Sequence, residues 1–498
     1  MASDRYDLVI RGGTVYDGTG GAGVRADVAV TGDRIAVVGA VAEGGATEID
    51  AAGLAVSPGF IDVHSHDDFA VLMEPTMPFK VMQGVTSDVI GNCGSGVVPY
   101  RSAVARFGRL MPGAAPPEWD GFAGYLSRVD EAGPSLNVAV LIGHGSLRAG
   151  AMGLDQRKPS DDELGQMRGW VREGVEAGAV GLSTGLIYEP GRYAATDEIV
   201  ALAREMGRDG GLYATHMRNE AAGLLDAVAE AIRIGEEGGV PVQISHHKAG
   251  GRDNWGRVRD SLALIEAARA RGLDVTADQY PYTAGSTSFH AVVQNGAFRN
   301  DSPGGLGTLS ADQVLIASAP RHPEYEGQRL AGLVERWGVP VDEAAARLLA
   351  EEGEACFVVV FSMDEADVRT VMAHPTTMIG SDGVPAAGSN PHPRLYGCFP
   401  RVLGHYVREE RVLDLPTAIH RMTGMSATKF RLTDRGVVRP GAFADLVVFD
   451  PARIRDTATY EEPRRFPEGI TAVYVNGTAV ARDGQHTGAR PGRALRRG

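Results

Sequence analysis

Pro58-Gly59-Phe60-Ile61-Asp62-Val63-His64-Ser65-His66 is the stretch from which the rest of the chain can be read. An apolar run from Leu54 to Val63, interrupted by Ser57-Pro58-Gly59, ends in two histidines one residue apart. Residues i and i+2 of a strand point to the same side. His64 and His66 can therefore reach one metal ion together from the C-terminal end of a strand. A lone His-x-His carries little weight; it gains weight if further ligands sit in comparable places.

They do. Downstream, strand-like runs alternate with helical ones, and each of several runs ends in a residue with chemistry. Val85 to Ile90 leads to Cys93, Leu212 to Thr215 leads to His216, Pro241 to Ser245 leads to His246, and Met378 to Ser381 leads to Asp382. Asn137 to Gly143 leads to His144 in the same manner. Between these runs the spacing predicts helices near 220–237, 256–271 and 416–429. Another, opened by the capping box Ser160-Asp-Asp-Glu163, runs to about Ala177. About eight such units with short connections read as a (β/α)8 TIM barrel, whose sites are built at the C-terminal ends of the strands. The interval 283–350 breaks the rhythm, being rich in Gly, Pro, Ser and charge. It reads as an insertion above the barrel mouth, or else an excursion on the outer wall.

Both ends of the chain are β-only. Asp7 to Asp17 reads as a strand, a turn at Gly12-Gly13 and a second strand. Ala26 to Gly39 is a hairpin turning at Gly32-Asp33. Ile470 to Val480 is a hairpin around Asn476-Gly477, a pair suited to a type I′ turn. The expected organisation is a small β-sandwich from both termini, 1–57 and 431–498, around a catalytic barrel over 58–430.

Imidazole and thiolate suit Zn²⁺, and a carboxylate can complete the shell. Cys93 lies in the Gly-rich Gly91-Asn-Cys-Gly-Ser-Gly96; Cys356 and Cys398 read as buried bystanders. A zinc with an open position lowers the pKa of water towards neutrality. A nearby carboxylate can then take a proton and deliver it to a leaving group. Asp382 in Gly380-Ser-Asp-Gly383 is the candidate, against the plainer reading of a turn-forming Asp. Hydrolysis of an amide or similar bond follows from such a set.

Composition sets limits. The chain has 498 residues and a net charge of −14, which speaks against nucleic acid or an anionic membrane as partner. Three cysteines make no disulfide framework, and neither a signal-peptide pattern nor a span-length apolar run is visible, so the cytoplasm is expected. Only four lysines, Lys80, Lys158, Lys248 and Lys429, stand among the 49 basic residues, so a mechanism that needs lysine has few candidates.

Taken together the motifs resemble the amidohydrolase superfamily, and within it the D-aminoacylases (N-acyl-D-amino-acid deacylases). The matching pieces are the opening Pro58–His66 stretch, Gly91-Asn-Cys-Gly94, Gly181 to Tyr188, Ala214-Thr-His-Met-Arg-Asn-Glu220 and Ile244-Ser-His-His-Lys248. They continue with Tyr280 to Ser286, Gly380 to Pro385 and His392 to Arg401. The resemblance implies a tightly held zinc on Cys93, His216 and His246. It also implies a second, weaker metal position at His64, His66 and Asp382, with Asp382 as acid/base. Lys248, Tyr280, Ser286 and Arg394 would hold the carboxylate of the substrate, and Tyr188 would orient the acyl carbonyl. The insertion would form a lid. The activity implied is hydrolysis of N-acyl-D-amino acids to a carboxylate and a free D-amino acid. Many superfamily members bridge two metals with a carboxylated lysine. No lysine here ends the corresponding strand, and Cys93 fits as the replacement. That counts against a hydantoinase- or dihydroorotase-like cyclic-amide hydrolase, and the complete ligand set counts against a non-catalytic scaffold relative.

Overall fold

The computed structural model describes residues 6–107, 116–294, 297–298, 306–385 and 390–497. The expected terminal segments therefore lose residues 1–5 and 498, and the expected insertion loses 295–296 and 299–305, to the region outside the described residues.

Eight parallel strands form the barrel. They are β1 (Phe60–Asp62), β2 (Val85–Ile90), β3 (Asn137–Gly143), β4 (Gly181–Gly185), β5 (Leu212–His216), β6 (Val242–Ile244), β7 (Val275–Gln279) and β8 (Thr377–Ile379), hydrogen-bonded in that order. Every residue of these strands is buried, as expected of parallel strands covered on both faces. The seam between β1 and β8 is joined at its C-terminal end, where Asp382 N donates to His64 O at 2.7 Å and His66 N to Gly383 O at 3.0 Å.

The helices follow the sequence signals closely where caps are strong. Asp161–Ala177 is helical with both halves of the Ser160/Glu163 capping box formed, and Gly178 ends it at φ 101°. Leu224–Gly238 and Val258–Ala270 cover β6 and β7. The single helix expected over 416–429 is two, Leu415–Met422 and Gly424–Lys429. Thr423 leaves helical geometry between them (φ −136°, ψ −88°), with its hydroxyl donating to Ile419 O at 2.6 Å.

The terminal segments share one nine-stranded sheet. Leu446–Phe449 pairs antiparallel with Ala55–Pro58, which pairs in turn with Tyr6–Val15. Leu8, Ile10, Val28, Val30, Leu446 and Val448 belong to its buried core. The turn expected at Gly12-Gly13 is instead a bulge inside one continuous strand, Tyr6–Val15. Gly12 takes φ 64°, which shifts the register without reversing the chain. The Asn476-Gly477 hairpin forms as expected, with φ 47° and 79°.

Between β7 and β8 the excursion carries its own three-stranded sheet, Gly285–Ser288, Phe357–Val360 and Val314–Ser318 in that order. Its length exceeds the interval read from composition, because the central strand Phe357–Val360 lies beyond residue 350. A separate core that includes Phe289, Ile316, Leu330, Leu348 and Val358 supports it, and Cys356 is buried there. It is therefore a packed unit and not an irregular loop.

Candidate metal centre

The strand ends bring their side chains to one point. Cys93 Sγ lies 3.3 Å from His64 Nε2, 3.5 Å from His246 Nε2 and 3.7 Å from His216 Nδ1. Asp382 Oδ1 stands 3.5 Å from His64 Nε2 and 3.1 Å from His66 Nε2. Zinc bonds of about 2.3 Å to sulfur and about 2.0–2.1 Å to nitrogen place tetrahedral donors roughly 3.5 Å apart. The thiolate–imidazole separations match that spacing, so the residues fit Zn²⁺.

The backbone is bent to achieve this. Cys93, His246 and Asp382 all adopt left-handed φ angles, 52°, 36° and 50°. Non-glycine residues rarely do so, and such positions cluster at functional sites. Glycine next to the site makes the approach possible: a Cβ at Gly185 would fall 2.1 Å from Cys93 O. The loop carrying the thiolate thus leans directly on the end of β4.

Burial opposes ionisation of the Cys93 thiol. The charges of His64 and His246, with hydrogen bonds from His216 and His246, nonetheless hold it well below the ordinary thiol range. Burial likewise disfavours the Asp382 carboxylate, but Arg394 above all, then His246, His66 and His64, hold it well below the usual carboxylate range.

Two acidic residues not singled out from sequence complete the centre. Glu220 is buried, with Oε1 2.9 Å from His246 Nδ1 and Oε2 3.7 Å from His216 Nε2. It thus faces the outer nitrogens of His216 and His246, two of the three histidines whose inner nitrogens face Cys93. Asp278, at the end of β7, lies 3.2 Å from His64 Nδ1 and accepts from His246 N at 2.8 Å. Carboxylates in such places fix imidazole tautomer and orientation. Glu220 sits inside a quoted motif, and Asp278 is the acid in the strand Val-Thr-Ala-Asp-Gln; each was visible, but nothing local distinguished its role. Glu220→Gln is expected to weaken zinc binding about 10–100-fold, measured by competition with a chromophoric chelator. Wild-type affinity in that variant would remove Glu220 from the centre.

The other expected residues gather on one side. The Arg394 guanidinium is buried, with Nη1 2.9 Å from Asp382 Oδ2, and its carbon lies 4.4 Å from the Tyr280 ring centroid. Arg394 Nη2 donates to the Ser286 carbonyl at 3.5 Å. Lys248 Nζ lies 5.7 Å from the same Tyr280 ring, and it donates to Glu220 Oε1 at 2.6 Å. The Tyr188 ring packs 4.9 Å from that of His216, and its hydroxyl is 3.3 Å from Thr287 Oγ1. His144, which follows a barrel strand, and His247, the neighbour of His246, fall outside the centre. His144 Nε2 pairs with Glu198 at 2.9 Å, and His247 Nε2 turns to Ser261 Oγ at 2.8 Å. Cys398 is buried with its thiol towards Gly380 O.

Thiolate, imidazole and carboxylate donors converging at the C-terminal face of a parallel barrel are the arrangement of a metal-binding (β/α)8 protein. Residues 47–481 match the Amidohydrolase family, and the chain belongs to it. A D-aminoacylase of Alcaligenes xylosoxydans xylosoxydans is 42% identical over 99% of this chain and 98% of its own length. An N-acyl-D-aspartate deacylase of the same organism is 42% identical over 99% of this chain and 96% of its own length. The solved N-acyl-D-glutamate deacylase of Bordetella bronchiseptica, complexed with zinc and a phosphonate inhibitor, superposes with a TM-score of 0.89. It is 39% identical over 99% of this chain and all of that one.

Proposed function

We propose that this protein hydrolyses the amide bond of N-acyl-D-amino acids, releasing a carboxylate and the free D-amino acid. The observation that carries the reading is the position of Asp382. It lies 3.1 Å from His66 in the donor cluster and 2.9 Å from the Arg394 guanidinium. One carboxylate is thereby placed between the point where a metal would act and the cation suited to a substrate carboxylate. The D configuration rests on the relatives.

Cys93, His216 and His246 would hold the Zn²⁺, which would supply Lewis acidity and a water of near-neutral pKa. The chain does the rest. Arg394 binds the substrate carboxylate through charge-assisted hydrogen bonds, with Tyr280 and Ser286 beside it and Lys248 adding positive charge. Tyr188 offers its hydroxyl to the acyl oxygen. Asp382, ionised before reaction, accepts a proton from the attacking water and passes it to the amine nitrogen as the C–N bond breaks. His64 and His66, with Asp382, provide a second, weaker metal position.

The reading includes the division into a terminal β unit, 1–57 with 431–498, and a catalytic unit, 58–430, with the insertion as a lid. It also includes a small-molecule partner and a cytoplasmic location, where Cys93, which is free, stays reduced. No helix among the described residues is long and apolar enough to cross a membrane.

A screen of N-acetyl-D- against N-acetyl-L-amino acids, with acidic, hydrophobic and aromatic side chains and a hydantoin as control, tests this. Hydrolysis is expected for D-substrates only. Turnover of the hydantoin with no D-substrate hydrolysed would reject the reading.

A further inference from the structure

Lys80 is one of the largest fully buried side chains, and the chemistry above gives it no part. It sits on the short helix Pro78–Val81. Its ammonium donates to Asp62 Oδ2 in a short contact and to Ser381 Oγ at 3.0 Å, with Asp67 Oδ2 at 3.2 Å. Asp62 ends β1, two residues before His64. Ser381 immediately precedes Asp382.

These contacts close on themselves. Asp62 Oδ1 accepts from Ser381 N at 2.8 Å and from His64 N at 3.2 Å. Ser381 Oγ accepts from Gly383 N at 3.0 Å and donates to His64 O at 3.4 Å. One buried cation therefore joins the backbone on both sides of Asp382 to the backbone of His64. It does so at the β1–β8 seam, where the regular strand ladder stops. Asp382 holds its left-handed φ of 50° immediately beyond this knot. Such a conformation persists only where the surroundings over-determine it.

We propose that Lys80 is a positioning residue. Through Asp62 and Ser381 it clasps the β1–β8 seam and fixes Asp382 against His64 and His66. The inference deepens the hydrolytic reading above and rests on it for its kinetic readout only.

Lys80→Met leaves Asp62, Asp67 and Asp88 buried without their cation and can fail to fold, so Ser381→Ala is the primary variant. It removes the Ser381 hydroxyl's bonds to Lys80, Gly383 N and His64 O, and keeps the Lys80–Asp62 pair and the bond from Ser381 N to Asp62. Relative to wild type, kcat on an N-acetyl-D-amino acid is expected to fall about 10-fold or more, with KM within about twofold and an unchanged melting temperature. Co²⁺ titration of the metal-depleted protein is expected to show the weaker position losing about 10-fold in affinity, with the thiolate–Co²⁺ absorption of the tighter one retained. Lys80→Arg, which keeps the charge, is expected to retain more kcat and Co²⁺ affinity than any Lys80→Met protein that folds.

A folded Ser381→Ala with wild-type kcat and Co²⁺ affinity overturns the proposal. So does a loss of melting temperature unaccompanied by either change. If the wild-type protein hydrolyses no D-substrate, the functional reading fails, while the Co²⁺ titration still decides the clasp.

Discussion

Asp382→Asn is expected to lower kcat by about 10³-fold, in the middle of the range for loss of a positioned general acid–base. The amide keeps the size and planarity of the carboxyl group but cannot accept the proton. It also gives up the ion pair with Arg394 at 2.9 Å and the contact with His66 at 3.1 Å. Arg394 stays in place over Tyr280 and against the Ser286 carbonyl, so KM is expected to move little. Steady-state kinetics on the preferred N-acetyl-D-amino acid, with zinc content measured on the same sample, check both statements. Retention of full kcat at normal zinc content would remove Asp382 from its role. A raised KM with unchanged kcat would show that it serves binding through Arg394 and not proton transfer.

Cys93→Ala is expected to abolish tight zinc binding and, with it, hydrolysis. Cys93 Sγ is the atom common to all three imidazole contacts, at 3.3 to 3.7 Å. Its removal takes away the one sulfur donor that His64, His216 and His246 share, whereas a lost outer partner leaves the donor set intact. The loss of affinity is therefore expected to exceed the roughly 10–100-fold assigned to Glu220→Gln. Elemental analysis after dialysis against a weak chelator provides the measurement. A Cys93→Ala protein that retains one zinc through dialysis would place the tight position elsewhere in the cluster, at His64, His66 and Asp382.

The two variants separate roles that the geometry places within one small volume. Asp382→Asn is expected to be loaded and slow; Cys93→Ala is expected to be empty and inactive. Glu220→Gln should fall between, recovering activity as zinc is added, because its defect is affinity.

The sequence by itself determined the barrel and which side chains could be grouped at its mouth. Periodicity marked the strands, and the C-terminal ends of parallel barrel strands converge, so His64, His66, Cys93, His216, His246 and Asp382 could be grouped without coordinates. Strong local signals, such as the Ser160 capping box and the Asn476-Gly477 turn, survived into the structure because each is settled within a few residues. Where local chemistry allowed two outcomes, tertiary packing chose. Gly12 bulges rather than turns because Tyr6–Val15 has partners along its length, Val24–Thr31 on one side and Gly45–Asp50 and Ala55–Pro58 on the other. The insertion ends late because Phe357–Val360 pairs with Gly285–Ser288, more than 60 residues earlier in the sequence. The support of the centre was settled in the same way. Glu220, Asp278 and Lys80 carry no distinguishing local pattern, since a lone acid or lysine in a loop, strand or short helix is ordinarily solvated. Only folding buries them against the outer nitrogens of His216, His246 and His64, and against the seam that carries Asp382. There, away from water, a carboxylate or an ammonium must be paired, and the pairing is what aims the groups that sequence could name.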